Sequence, residues 1–334
     1  MRESFRHYFK PTKETLSDAW RECLFSFDSS VLLNVYGYSN ETREKLISFT
    51  ELNDTRVRLP HQFGLEYSRN RLKVIVRQIN KYSKVEEALQ KIKETEIVPK
   101  RDHPYLTRKS LKAFEAIQKE LADSRKTILK WIGADPCAER IFEAFENRMS
   151  PCPTEEQLSE LHRKANERYQ QKIPPGFADL KEKDTPEAYG DYIGWCQLMQ
   201  IAKVEQKPII FVTDDFKEDW WDIESGRPIR PRPDLLEEFT RETGQEVHIY
   251  SSENFLRAAR EFMSADIRDE VIEEVRERLE GQRESQRAVD LKPPAAGVRI
   301  EQDEEVFGAP SDVKMSESKS ISPGPQDKPN VKSE

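Results

Sequence analysis

The chain has 334 residues, more than one average domain, with 35% charged residues, 36% hydrophobic residues and a formal net charge of −8. The charged share exceeds the usual level of about a quarter and the apolar share is low, which predicts a stretch that does not pack. The negative balance excludes a broad basic face for nucleic acid but permits a local basic groove, because steering depends on where charges sit. In chain order, four short apolar runs read as buried strands: 23–27 (CLFSF), 56–59, 208–213 (PIIFVT) and 246–250 (EVHIY). Each leads into helix-start chemistry: Asp28, Ser29 and Ser30 after the first, Pro60 and His61 after the second, Asp214 and Asp215 after the third, Ser251 and Ser252 after the last. Strands alternating with helices imply parallel crossovers and an α/β sandwich. The run PIIFV is apolar on both faces, as a central parallel strand should be.

Between 81 and 171 the signal is helical throughout. Thr107 and Thr154 read as N-caps, the latter with Gln157 three residues on as in a capping box. Leu111, Phe114, Ile117 and Leu121 recur at helical spacing, which predicts core positions in a helical lobe packed on the sheet domain. Thr185, Pro186 and Glu187 read as a helix start. Near the C-terminal side, Ile267, Val271, Ile272, Val275 and Leu279 share one face of an amphipathic helix over 266–287, which either docks on the body or binds a protein partner. From 288 to 334 the chain is rich in Pro, Ser, Glu, Asp and Lys, with a single aromatic, and is expected to be a disordered tail, the other candidate seat for a protein partner.

Cys23, Cys137, Cys152 and Cys196 form no Cys-x-x-Cys pair and the five histidines are scattered, so free thiols are expected and a structural zinc site is not. No apolar run approaches the roughly 20 residues of a bilayer span. The first residues, MRESFRHYFKPTKE, lack the apolar core of a secretory signal. A cytoplasmic protein without membrane contact is the expectation.

The acids carry the chemistry. Asp28 ends the first strand, where open α/β sheets place ligands, and serves either as a ligand group or as the N-cap of the next helix. Asp214 and Asp215 end the 208–213 strand side by side. Two like charges roughly 4 Å apart cost about 4 kcal/mol at an effective dielectric near 20, a cost that a cation removes. Asp219, in the same turn, is either a loop acid or part of the site. Asp191 falls in line with Trp195, Leu198 and Ala202 on an inward helix face, so it needs a metal or an arginine partner. Glu66, after the second strand, either joins this set or pairs along its helix with Arg69 and Asn70. An oxygen-rich, histidine-poor set suits Mg²⁺ or Mn²⁺, which activate water for phosphodiester cleavage. Arg69, Arg71, Arg230 and Arg232, with Arg227 in the stiff GRPIRPRP stretch, are candidate phosphate contacts or ordinary solvated arginines. Trp220 and Trp221 either pack in the core or stack on bases.

Five segments in order resemble the PIN-like nuclease family, in particular its larger bacterial branch with a helical insertion. They are FSFDSSVLLNVY (25–36), LPHQFGLEYSRNR (59–71), IPPGFADLKEKD (173–184), YGDYIGW (189–195) and IIFVTDDFKEDWW (209–221). The resemblance implies a three-layer sandwich around a parallel sheet over 1–265, with a helical insertion over about 82–172. It implies divalent-metal-dependent cleavage of nucleic acid, usually RNA. Carried across, Asp28, Asp191 and Asp215 are the metal ligands, and Glu66 and Asp214 are further ligands or water-orienting bases. Thr213 orients a ligand or water, and Asp179 supplies an outer acid. Two other functions fit the same residues: a catalytically inactive PIN-like module that binds nucleic acid or protein, and a phosphohydrolase of small phosphate esters. Against the latter, there is no Asp-x-Asp-x-Thr pattern and no Gly-rich phosphate loop.

Overall fold

The computed structural model describes residues 1, 5–53, 55–97, 108–181 and 183–290; the side chains of 96, 97 and 285–290 lie outside the description. The expected cap at Thr107 and the expected tail from 291 onward lie outside the described residues.

A parallel sheet is built from β1 (Leu24–Phe27), β2 (Ile209–Val212) and β5 (Val247–Tyr250), with β2 in the middle. All four residues of β2 are fully buried, which is why that run carries no polar alternation. The register pairs Phe27 with Val212 and Val212 with Tyr250, so the chain leaves all three strands at one edge. An antiparallel hairpin, β3 (Trp221–Glu224) and β4 (Arg227–Pro231), stands apart from this sheet. In the sequence it reads only as a stiff basic stretch, because Pro228 and Pro231 obscure the strand pattern. The expected strand at 56–59 is reduced to single parallel bridges, Val57 to Phe25 and Leu59 to Met149. Arg56 and Val57 both donate their N–H groups to Asn53 O and Pro60 follows at once, so the segment is a turn followed by isolated bridges to two different partners.

Helices cover both faces. On one, Trp20 of α1 (Lys13–Glu22), Phe49 of α3 (Asn40–Leu52) and Phe255 of α10 (Ser252–Met263) surround Phe25, with ring centroids 5.0–6.1 Å away. On the other, Phe63 of α4 (His61–Ile92) stacks on Phe211 at 5.6 Å. There Trp220 links Phe211 to Trp195 of α8 (Gly190–Glu205), which meets Phe239 of α9 (Pro233–Thr243). Three layers result, in an α/β arrangement dominated by helix. The short α2 (Ser29–Asn34) leaves β1 directly. Helix ends follow sequence chemistry: Ser251 caps α10, Pro233 opens α9, and Gly244 closes α9 at φ 70°, a left-handed conformation that glycine adopts without a Cβ clash.

The region between 81 and 171 is helical where described: the rest of α4, then α5 (Arg108–Lys130), α6 (Pro136–Phe145) and α7 (Glu155–Gln170). Thr154 and Gln157 form the expected capping box on α7. The α5 stripe is not core, however. Leu111, Phe114 and Leu121 are half-buried and Ile117 is 50% exposed, because α5 packs on the protruding half of α4 as a two-helix hairpin. Thr185 and Pro186 do not start the expected helix either; a short turn at Glu187–Tyr189 intervenes and α8 begins at Gly190.

The amphipathic C-terminal helix, α11 (Asp269–Asp290), docks on the body. Ile267, Val271, Ile272, Val275 and Leu279 are all buried, each stabilising the contact by up to about 1.5–3 kcal/mol. Glu274 accepts from Ser39 and Thr42, and Arg278 donates to Gly37 O at 3.0 Å. Its apolar face is therefore taken by this chain itself, not left for a partner. No described helix is long and apolar enough to cross a membrane.

Candidate metal centre

The parallel register explains why acids distant in sequence meet. Because Phe27 and Val212 are partners, the next residues, Asp28 and Thr213, emerge side by side at the sheet edge. Thr213 Oγ1 donates to Asp28 Oδ2 at 2.8 Å and accepts the Asp215 N–H at 3.1 Å. One hydroxyl thus ties the first strand's acid to the second strand's turn. Asp28 occupies the N-cap position of α2 but makes no capping bond. Its oxygens instead receive the hydroxyls of Ser30 (2.6 Å) and Ser29 (3.3 Å). The cap reading of Asp28 does not hold.

Ser29 Oγ also lies 2.9 Å from Glu66 Oε2, so one hydroxyl spans both carboxylates. Gln62 donates to Glu66 Oε1 at 2.8 Å. A Cβ on Gly190 would fall 2.1 Å from that same oxygen, so a side chain there would displace the Glu66 carboxylate from its place. Asp191, the next residue, lies in the first turn of α8 at the positive end of its dipole. It receives the Trp220 indole N–H at 3.3 Å.

Asp179, Asp191 and Asp215 each offer an oxygen within 4.8 Å of the others. Asp179 and Asp191 are buried and Asp215 is partly so. Asp179, expected in an outer role, thus sits in the cluster, whereas Asp28 lies beside it through Thr213. Asp219 accepts the N–H groups of Gly176 and Ala178, at 2.9 Å each, and so holds the turn that presents Asp179. Its other oxygen is buried without a hydrogen-bond donor among the described residues.

Burial, reinforced by Asp179 and Asp215, pushes the Asp191 carboxyl well above the usual carboxylate range. Burial also lifts Asp215 to about 7, against the pull of Lys217. Glu66 is raised by burial and by Asp28, although Gln62 and Ser29 donate to it. Crowded acids in a dry site resist ionising together unless positive charge arrives. Two lysines supply some. Lys217 Nζ bonds Asp179 and lies 3.2 Å from Asp215, and Lys183 Nζ bonds the other oxygen of Asp179. Burial acts to lower the Lys217 ammonium, but Asp215, Asp179 and Asp191 overcome it and hold it above its ordinary value. The sequence marks neither lysine except by spacing, four residues after Asp179 and two after Asp215.

Asp214 turns away from its neighbour. It accepts from Ser252 N (2.9 Å), Ser252 Oγ (2.8 Å) and Asn34 Nδ2 (2.9 Å), fastening the β2 turn to the start of α10. Of the arginines, Arg71 pairs with buried Asp135, Arg230 with Asp222 and Arg232 with Asp234; Arg69 is exposed on α4. Trp220 and Trp221 are core residues, and the Trp221 indole donates to Asp215 O at 2.7 Å.

A parallel sheet between helical layers carries clustered acids at the edge where its strands end, an α/β architecture whose acids are compatible with metal binding. A family model described as a PIN like domain matches residues 24–235, most of the chain, and the protein belongs to that family. Comparisons with curated proteins and with solved structures returned no match.

Proposed function

We propose that the protein hydrolyses phosphodiester bonds in nucleic acid, RNA by preference, with Mg²⁺ or Mn²⁺ as cofactor. One observation carries the reading: three carboxylates from separate segments, two of them buried, converge within 4.8 Å of one another. The donor set is all oxygen, which suits hard cations. Its raised carboxyls fit a site completed by added positive charge. The preference for RNA rests on the family alone.

In this reading Asp191 and Asp215 are the central ligands, Asp179 joins them, and Asp28 closes the flank that Thr213 connects. When bound, the cation supplies Lewis-acid stabilisation of a phosphoryl oxygen and acidifies water. Glu66 is the proton acceptor: it is desolvated, next to Asp28, and oriented at both oxygens by Gln62 and Ser29. Thr213 fixes which lone pairs of Asp28 remain available. Asp219 acts through the turn it holds, and Asp214 through its anchor to α10. Arg69, exposed beyond Glu66 on the same helix, is the first arginine assigned to a substrate phosphate. Arg71, Arg230 and Arg232 would have to leave their acids to do so.

The test is cleavage of a single-stranded RNA oligonucleotide with Mn²⁺ by Asp191→Asn, Asp28→Asn and Glu66→Gln proteins whose folding is checked by circular dichroism. The ligand variants should lose cleavage, and Glu66→Gln should lose about a hundredfold or more. Undiminished cleavage by folded Asp191→Asn overturns the reading. Turnover of a generic phosphate ester with none of an oligonucleotide would instead indicate a small-molecule phosphohydrolase.

A further inference from the structure

We propose that Lys217 is a resident counter-cation that sets the site's affinity for its divalent ion. This rests on the metal-dependent reading above. Each site lysine is presented by the same short segment as one of the acids it neutralises. Asp215 accepts the Lys217 backbone N–H at 3.1 Å through Oδ1, while the Lys217 ammonium lies 3.2 Å from Oδ2. The same ammonium reaches Asp179, so Lys217 bridges the β2 turn and the 173–181 segment. Lys183 takes the remaining oxygen of Asp179 and hydrogen-bonds its carbonyl through the backbone N–H at 2.9 Å. The Lys217 side chain is only 21% exposed, whereas that of Lys183 is 42% exposed.

The consequence is electrostatic. Three carboxylates this close repel one another, and Lys217 relieves that repulsion along the edge between Asp179 and Asp215. Asp191 makes no ion pair among the described residues, and its polar partner is the neutral Trp220 indole. A divalent ion entering beside Asp191 therefore meets acids that are already partly neutralised, and also meets the positive charge of Lys217 at short range. Lys217 makes the metal-free site tolerable and weakens metal binding at the same time. The two effects have opposite signs for the two states, which separates this role from simple packing: a packing residue, once removed, weakens both folding and binding.

The experiment measures Mn²⁺ binding by calorimetry, and melting in chelator and in saturating Mn²⁺, on the full chain and its Lys217→Met and Lys217→Arg variants. Lys217→Met should bind Mn²⁺ about tenfold tighter or more, melt lower in chelator, and recover more of its melting temperature on metal addition than the wild type does. Lys217→Arg, which keeps the charge, should stay near wild type. Unchanged or weaker Mn²⁺ binding by folded Lys217→Met overturns the inference. If Lys217→Met does not fold, Lys183→Met is read for a smaller shift in the same direction, and no shift there overturns it equally. A wild type that takes up no Mn²⁺ sinks the proposed function instead; the inference then requires that Lys217→Met bind where the wild type does not, and fails otherwise.

Discussion

Asp214 accepts three hydrogen bonds from Asn34 and Ser252, while Asp215, one residue on, shares its oxygens with Lys217 and the acid cluster. Alternation at the end of a strand sends neighbouring side chains to opposite sides, and here one side leads to α10 and the other to the acid cluster. The two acids should therefore fail differently. Asp214→Ala strands a buried amide and hydroxyl without acceptors, at a cost of about 1–3 kcal/mol in urea denaturation. Asp215→Asn should leave the unfolding midpoint without metal intact or raised, yet lose Mn²⁺ uptake in calorimetry. An Asp214→Ala protein of wild-type stability would contradict this division. At this scale the sequence exposed the strand-end acids, because a carboxylate directly after a buried apolar run is conspicuous. It did not separate Asp214 from Asp215, since the partners that decide between them, Asn34 and Ser252, lie far away in the chain.

At the scale of elements, residues of α11 reach the site from outside the family-matched segment. Arg283 places its guanidinium 3.9 Å from the ring centre of Phe216, between Asp215 and Lys217. Gln282 donates to Asn34 Oδ1 at 2.7 Å, and Asn34 in turn donates to Asp214. Both contacts bear on the 213–217 turn, so α11 braces the loop that carries Asp215 and its lysine. Removing both, as Gln282→Ala with Arg283→Ala, should cost about 1–2 kcal/mol of stability. It should also speed hydrogen exchange at the amides of 214–217 more than at those of β2. Equal exchange in that turn would show that the helix only covers the body. Elements were legible where local chemistry decides them: the uninterrupted apolar run of β2, the Thr154–Gln157 box on α7, the apolar face of α11. They were illegible where tertiary context decides. The apolar stripe of α5 has helical spacing, but the opposing helix rather than the core determines how deeply it is buried. The β3–β4 hairpin forms despite two prolines, since an isolated ribbon tolerates missing donors that a central strand would not.

For the molecule as a whole, the site couples protons to folding and, on the proposed function, to metal as well. The Asp215 carboxyl titrates at about 7 in the folded state, and those of Asp191 and Glu66 are also raised, whereas an unfolded chain titrates such groups near 4. Between about pH 4 and pH 7 these three groups thus hold more protons in the folded protein than in the unfolded one. By linkage their contribution to stability without metal falls as pH rises through that window. His7, His61 and His248 push the opposite way below their ordinary range, because burial lowers them. The comparison that isolates the site is therefore with Asp215→Asn, which keeps those histidines and mimics the protonated acid. In chelator the variant and wild type should melt together near pH 5, and the variant should melt progressively higher toward pH 8. Added Mn²⁺ should reverse that order at pH 8, because the ion needs the ionised carboxylate, and should matter little at pH 5, where binding must first displace protons. Calorimetry at pH 6 should accordingly register proton release that fades by pH 8. A melting difference that stays constant from pH 5 to pH 8 would mean that Asp215 ionises freely without a cation, and that its burial among the other acids imposes no cost on the metal-free fold.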